Sequence, residues 1–199
     1  PCSNPCSNRS DQDLTMRMPL ALFPALAPAL AVVGLAGAAL AHGPTPQKID
    51  QSITIQAPPE AVWKVVGDFG GIGRWHPDVA KAEASGGNVE GTTRRVTLKA
   101  GGTLVEGLDE WLADGRTYSY RMSDPDLKAL PVSSYSATLT VTPDGTGSKV
   151  SWIGRFYRGD TGNEPPENLS DEAGRTAMNR YFADGLKGLK AAVEGRTTH

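Results

Sequence analysis

The chain has 199 residues, 39% of them hydrophobic and 21% charged, with a net charge of −2. That is ordinary globular composition, and the near-neutral balance without a basic run argues against a nucleic-acid footprint built on phosphate neutralisation. The two cysteines, Cys2 and Cys6, lie inside a repeated Pro-Cys-Ser-Asn at the start, which excludes a disulfide scaffold, a zinc cluster and a thiol nucleophile from the domain that follows.

Residues 1–15 are polar and lack apolar periodicity, and read as an upstream disordered extension. From Met16 the text changes to Met-Arg-Met, then to an uncharged run from Pro19 to Ala41 that closes in Ala39-Leu40-Ala41. Positive start, apolar centre and small-x-small end predict a signal peptide over 16–41. An uncharged run of this length is also long enough for a membrane anchor, but its prolines and cleavage box favour removal. The expected product is periplasmic, with no stable membrane anchor, a flexible mature N-terminus over 42–48 and one domain over 49–195. Its lack of cysteine suits a periplasm better than a disulfide-rich extracellular setting.

Ile49 to Ala57 alternates apolar and polar residues and predicts a half-buried strand. Pro58-Pro59 ends it, and Pro59-Glu60 opens a short helix over Ala61 to Val66, since proline and an acid both suit a first helical turn. The glycines from Gly67 to Gly73 break that helix. A second short turn or helix is expected over Arg74-Trp75-His76, stopping before Pro77. Six more strands follow: Val79–Ala84, Thr92–Leu98, Thr103–Leu112, Thr117–Met122, Val132–Thr142 and Lys149–Tyr157. Gly-rich and Asp-Gly texts separate most of them and predict an antiparallel meander. Gly159 to Leu169 reads as a long loop, an acidic lip or partner contact on one reading and a solvated linker on the other. Ser170 then caps a long amphipathic helix whose Met178, Tyr181, Phe182, Leu186, Leu189 and Val193 recur at helical spacing. Gly185, beside that apolar stripe, is expected to make room for something beneath it.

The predicted fold class is α+β: a curved antiparallel sheet of about seven strands around a long C-terminal helix, with two short helices after strand one. Such an arrangement encloses space between sheet and helix. The runs Ala57-Pro58-Pro59-Glu60-Ala61-Val62-Trp63, Asp68 through Pro77, Gly91-Thr92-Thr93-Arg94 and Glu106-x-Leu108 resemble the polyketide cyclase/dehydrase branch of the START-like (SRPBCC), helix-grip superfamily. The resemblance covers Ile49 to Val193. With the export signal, Trp75-His76-Pro77, Pro131-Val132-x-x-Tyr135 and the loop from Tyr157 to Pro165-Pro166 are similar to the periplasmic MxaD accessory proteins of bacterial methanol oxidation. That likeness implies partners, methanol dehydrogenase and its cytochrome cL, or a small hydrophobic ligand. It implies no cofactor.

The sharpest local feature is a pair of charges on faces that otherwise look apolar. Arg94 shares one parity with Val96 and Leu98; Glu106 shares one with Leu104, Leu108, Glu110 and Leu112. If the intervening loop is Lys99-Ala100-Gly101, Arg94 lies across from Glu106. Two readings follow, a ligand-orienting pair inside a cavity or an ion pair that fixes register. Tyr118, Tyr120 and Met122, with Val150, Trp152 and Phe156, form either an aromatic cavity wall or plain core. His76 beside Trp75 is a general base or polar ligand contact on one reading, and a capped turn on the other. The expected ligand-binding residues are therefore Trp75, His76, Arg94, Glu106, Tyr118, Tyr120 and Trp152. One histidine in the domain cannot build a three-ligand zinc centre, and His42 at the cleaved terminus reads as tail. No catalytic residue and no metal site is assigned. A non-enzymatic binding protein leads, with a cyclase or dehydratase using His76, Arg94 and a tyrosine as the alternative.

Overall fold

Prolines 58 and 59 stop the first strand because neither offers an N–H to continue a ladder, and the rest of the topology follows from punctuation of this kind. The computed structural model describes residues 43–197, so the extension and signal segment expected over 1–41 lie outside the described residues. Strand β1 (Gln47–Ile55) leads through α1 (Pro59–Val66) and a 3₁₀ segment (Phe69–Arg74) to β2 (Val79–Ala84). Then come β3 (Thr93–Leu98), β4 (Thr103–Leu112), β5 (Thr117–Asp124), β6 (Val132–Asp144) and β7 (Gly147–Arg158). A short 3₁₀ turn at Glu167–Leu169 precedes α2 (Asp171–Thr197). The strands form one antiparallel sheet in the order β1-β7-β6-β5-β4-β3-β2, curled around α2 as expected for a helix-grip fold.

Two boundaries differ from the sequence reading. Gln47 and Lys48, expected in a flexible terminus, pair with Phe156 and Arg155 at the sheet edge. The turn expected at Arg74 begins at Phe69 instead, because the Asp68 carboxylate accepts the Gly70 N–H at 3.1 Å and caps a 3₁₀ turn through the glycines. At the other helix, Ser170 does cap α2: its hydroxyl accepts the Ala173 N–H at 3.3 Å.

The hairpin between β3 and β4 fixes the register that matters most. Gly101 and Gly102 both have positive φ, 103° and 82°, a conformation glycine adopts at little cost. The turn they make leaves Lys99, Ala100 and Gly101 as the loop, with Arg94 paired to Glu106. Further along β4 a bulge between Leu108 and Glu110 inserts one residue, which reverses the inward parity. Glu110 and Leu112, expected on the inward face with Glu106, are exposed. Trp111 turns inward instead and donates from Nε1 to the Gly67 carbonyl at 2.8 Å.

Helix α2 closes the concave face, packing mainly on β1 and β7. Met178, Tyr181, Phe182, Leu186, Leu189 and Val193 are all buried. Two glycines set how closely the helix approaches. A Cβ on Gly185 would meet His76 and Trp152 at 2.7 Å, and one on Gly188 would run into the Trp75 carbonyl. The room that Gly185 makes is thus filled by His76 and Trp152.

Candidate ligand-binding interior

Four strands and α2 deliver one polar cluster into an apolar interior. The β3–β4 register sets Arg94 Nε 2.5 Å from Glu106 Oε2, with both side chains wholly buried. Arg94 Nη1 donates to the Phe69 carbonyl at 2.7 Å, which ties the pair to the 3₁₀ segment. Tyr135 of β6 donates its hydroxyl to the other Glu106 oxygen. The guanidinium lies over Phe69 and Tyr120, 4.1 and 4.7 Å from the ring centroids, a cation–π arrangement that strengthens in a dry interior.

Burial alone lowers the pKa of Arg94, but Glu106 and the phenols of Tyr118 and Tyr120 more than offset it, leaving the pKa above the ordinary arginine value. Burial, reinforced by Glu106, pushes Tyr120, Tyr135 and Tyr181 well above the usual phenol range. These phenols therefore remain O–H donors at neutral pH.

His76 is engaged at both ring nitrogens by backbone. Its Nδ1 accepts the Asp78 N–H at 3.2 Å, which leaves Nε2–H to donate to the Tyr181 carbonyl at 3.0 Å. The ring stacks on Tyr181 with centroids 4.2 Å apart. Desolvation outweighs the carbonyl bond and lowers its pKa to about 4, so the ring is neutral near pH 7. It fastens the segment before β2 to α2, which is the capped-turn reading extended to a second element.

All seven residues expected from the sequence meet in this interior. Trp75 and Trp152 lie edge to face at 5.8 Å, Trp152 Nε1 donates to the Tyr120 hydroxyl at 3.0 Å, and Tyr118 lies 5.9 Å from Tyr120. Sequence reasoning left out Phe69, Tyr135 and Tyr181 as site members. Tyr135 was visible only inside a family-like run, and Tyr181 only as one residue of an apolar helical stripe. The side chains themselves occupy the space between sheet and helix: Trp152, Arg94, Tyr118, Tyr120 and Phe182 are all fully buried. At the interior's edge a cavity of about 170 Å³ lies between the β3–β4 turn, the β5–β6 connection and α2, lined by Leu98, Ala100, Leu130 and Tyr181 among others. A larger, shallow groove of about 760 Å³ runs along the start of α2 past Glu167, Glu172 and Arg180.

Three interior donors have no acceptor: Trp75 Nε1, Arg94 Nη2 and the Tyr181 hydroxyl. Among the described residues no group of three His, Cys, Asp or Glu side chains is placed to hold a metal.

A curled sheet gripping a long helix, with buried charge and phenols between them, defines a helix-grip protein with the architecture of a ligand-binding fold. The chain belongs to the polyketide cyclase/dehydrase and lipid transport family, whose model matches residues 46–194. Among solved structures it is similar to the protein XoxI from Bacillus cereus, with 27% identity and a TM-score of 0.63 over 76% of this chain and 99% of that one. A Thermobifida fusca protein is 30% identical, with a TM-score of 0.59 over 76% of this chain and 95% of that one. The ZhuI aromatase/cyclase from Streptomyces sp. R1128 shares the fold at 20% identity and a TM-score of 0.62, covering 77% of this chain and 96% of that one. The search of curated proteins gave no match.

Proposed function

We propose that the protein is an exported, non-enzymatic accessory or binding protein whose sheet–helix interior receives a small hydrophobic molecule. The observation that carries this reading is the set of unpartnered donors in an aromatic interior. Each buried donor without an acceptor costs about 1–3 kcal/mol, and such groups are few in native proteins and call for an explanation. A ligand bearing an acceptor supplies one. The export signal expected over 16–41 supports a periplasmic setting, and the likeness of the Trp75-His76-Pro77 and Tyr157–Pro166 stretches to MxaD proteins supports a role in methanol oxidation. Docking on methanol dehydrogenase and cytochrome cL is the other use of the fold in that setting.

An enzyme of the cyclase or dehydratase type is the second reading, and one observation favours it: Tyr135 donates to Glu106 beside Arg94, a phenol–carboxylate pair of the sort acid–base chemistry uses. Against it, Tyr135 is pushed well above the phenol range and His76 down to about 4. General acids and bases work best with pKa values near the operating pH, so these shifts support binding over turnover.

Native mass spectrometry of protein purified without organic solvent, before and after denaturing extraction, tests the reading. An added mass that extraction removes supports the carrier role and identifies the molecule. A bare mass in both samples, together with a complex formed on adding an alcohol dehydrogenase, replaces ligand carriage with partner docking.

A further inference from the structure

The outer face of the sheet, turned away from α2, carries an imbalance of charge. Lys48, Arg155, Ser136 and Arg121 are successive cross-strand partners from β1 through β7 and β6 to β5, and all of them are exposed. Directly opposed residues share a face, and like charges so placed destabilise the pairing. Lys48 is compensated by Asp50 at 2.7 Å and Arg121 by Asp109 at 2.8 Å. Arg155, between them in the row and directly across from Lys48, has no ion pair or side-chain hydrogen bond among the described residues. The row is one anion short at its centre, at a position where a neutral side chain would serve the fold better.

Small side chains open a trough beside it. Every outward residue of β6 from Ser134 to Thr142 is a serine or threonine. A cavity of about 380 Å³ lies over this strand, walled by Arg121 of β5 and by Ile153 and Arg155 of β7, with Ser136 and Thr138 on its floor. Arg121 and Arg155 belong to the strands on either side of β6, so their Cα atoms stand about 9–10 Å apart, twice the strand spacing. Asp109 takes only the Nε of Arg121, which leaves its terminal nitrogens. A carboxylate above Ser136 would fall between two guanidinium forks whose planar geometry matches it. The face is longer than one anion. Lys149, about 20 Å from Arg155 along β7, also makes no ion pair among the described residues. Ile153 and Tyr157, 39% and 38% exposed, flank Arg155, and apolar or aromatic groups around an arginine are what protein interfaces enrich. From Ser134 to Thr142 and from Lys149 to Tyr157 the outward positions include no acid. A free anion would use Arg155 and leave the rest of this length idle.

We infer that the outer face of β5, β6 and β7 docks an extended acidic segment of a partner protein, laid along the β6 trough. One carboxylate of that segment sits over Ser136 between Arg121 and Arg155, a second reaches Lys149, and apolar residues pack on Ile153 and Tyr157. Docking here uses the side of the sheet opposite the interior, so it holds or fails independently of any ligand bound between sheet and helix.

A fluorescein-labelled peptide of glutamates and serines with one leucine, and its counterpart with glutamine at every glutamate position, test this by fluorescence anisotropy against the full chain. The acidic peptide is expected to bind saturably, more weakly as salt rises, and at least about tenfold tighter than the glutamine peptide, the equivalent of one hydrogen bond to a charged group. Arg155 is exposed and has no partner to strand, so Arg155→Ala keeps the fold; it is expected to weaken the acidic peptide about tenfold, and Lys149→Ala to weaken it measurably. Lys64→Ala, which removes the same charge from the exposed face of α1, is expected to leave binding unchanged. Absence of saturable binding, equal affinity for the two peptides, or equal losses in Arg155→Ala and Lys64→Ala overturns the docking site. A loss confined to Arg155→Ala, with inorganic phosphate displacing the peptide, replaces the protein segment with a single small oxyanion. Phosphatidylglycerol vesicles bound more tightly than the peptide, with the same loss in Arg155→Ala, replace it with a membrane surface. Either result overturns the inference.

Discussion

Arg94 and Glu106 face each other across the β3–β4 hairpin, 2.5 Å apart and without exposure to solvent. Taking one of them away leaves the other as an unpaired charge in the interior, which costs about 3–5 kcal/mol. Arg94→Leu is therefore expected to lower stability by about that much in urea unfolding, whatever it does to ligand retention. Removing both charges and the dependent hydroxyl, as Arg94→Met, Glu106→Leu and Tyr135→Phe together, is expected to restore stability to within about 1–2 kcal/mol of the parent, because hydrophobic replacement of a buried pair is often neutral or better. If the triple variant is no more stable than Arg94→Leu, the pair holds the fold and is not kept for its chemistry.

His76 gives the fold a pH dependence of known sign. Its folded pKa, about 4, lies below the ordinary 6.5, so between those values the unfolded chain binds a proton that the folded chain refuses. Stability then falls as pH falls from about 6.5 towards 4 and levels off below. The drop attributable to this residue is about 3 kcal/mol at full extent. Chemical denaturation at pH 7.5, 5.5 and 4.0 reads it directly. In His76→Gln the component over this window should vanish, and an unchanged slope would assign the acid sensitivity elsewhere.

Two glycines of α2 should respond to alanine with opposite signs. At an open helical position the exchange stabilises by up to about 1 kcal/mol, and a Cβ on Gly195 meets nothing within 4 Å. A Cβ on Gly188 would run into the Trp75 backbone carbonyl, and overpacking of that kind costs about 1–3 kcal/mol. Gly188→Ala is expected to lower Tm by several degrees and Gly195→Ala to leave it level or raised. A neutral Gly188→Ala would mean that α2 does not sit this close to Trp75.

Much of this site can be read from the chain because it depends on local rules. The odd loop made by Lys99, Ala100 and Gly101 fixes the pairing of Arg94 with Glu106, and period-two alternation sends Tyr118, Tyr120 and Trp152 to the same side. What could not be read is non-local or irregular. The bulge after Leu108 carries no distinctive residue type, yet it puts Trp111 inside and Glu110 and Leu112 outside. Tyr135 reaches Glu106 across 29 positions of sequence. His76 meets Tyr181 across 105 positions, and no spacing rule announces that both its nitrogens are spent on backbone. Alternation left open whether the aromatic residues line a cavity or fill the core; the large side chains occupy the space themselves, a matter of volume that alternation does not encode.

Arg158 governs the long connection into α2. Its Nε donates to the Asp160 carbonyl at 2.7 Å, Nη2 to the Gly162 carbonyl at 2.7 Å and Nη1 to Asp171 Oδ2 at 3.0 Å. One planar fork thus folds the start of the loop back and ties it to the first residue of the helix. The exposed Glu167 of this loop, followed by Asn168, is a cleavage site for a glutamate-specific protease. Arg158→Lys keeps the charge but offers a single ammonium in place of a rigid fork, so it cannot hold three acceptors spread over loop and helix. Both Arg158→Lys and Arg158→Met are expected to speed cleavage after Glu167 by at least about tenfold, since each bond to a charged group contributes about 1.5–3 kcal/mol. Hydrogen exchange should rise at Gly162 and stay unchanged in β3 and β4. A lysine variant cut at the parental rate would show that charge alone, not the fork, holds the loop.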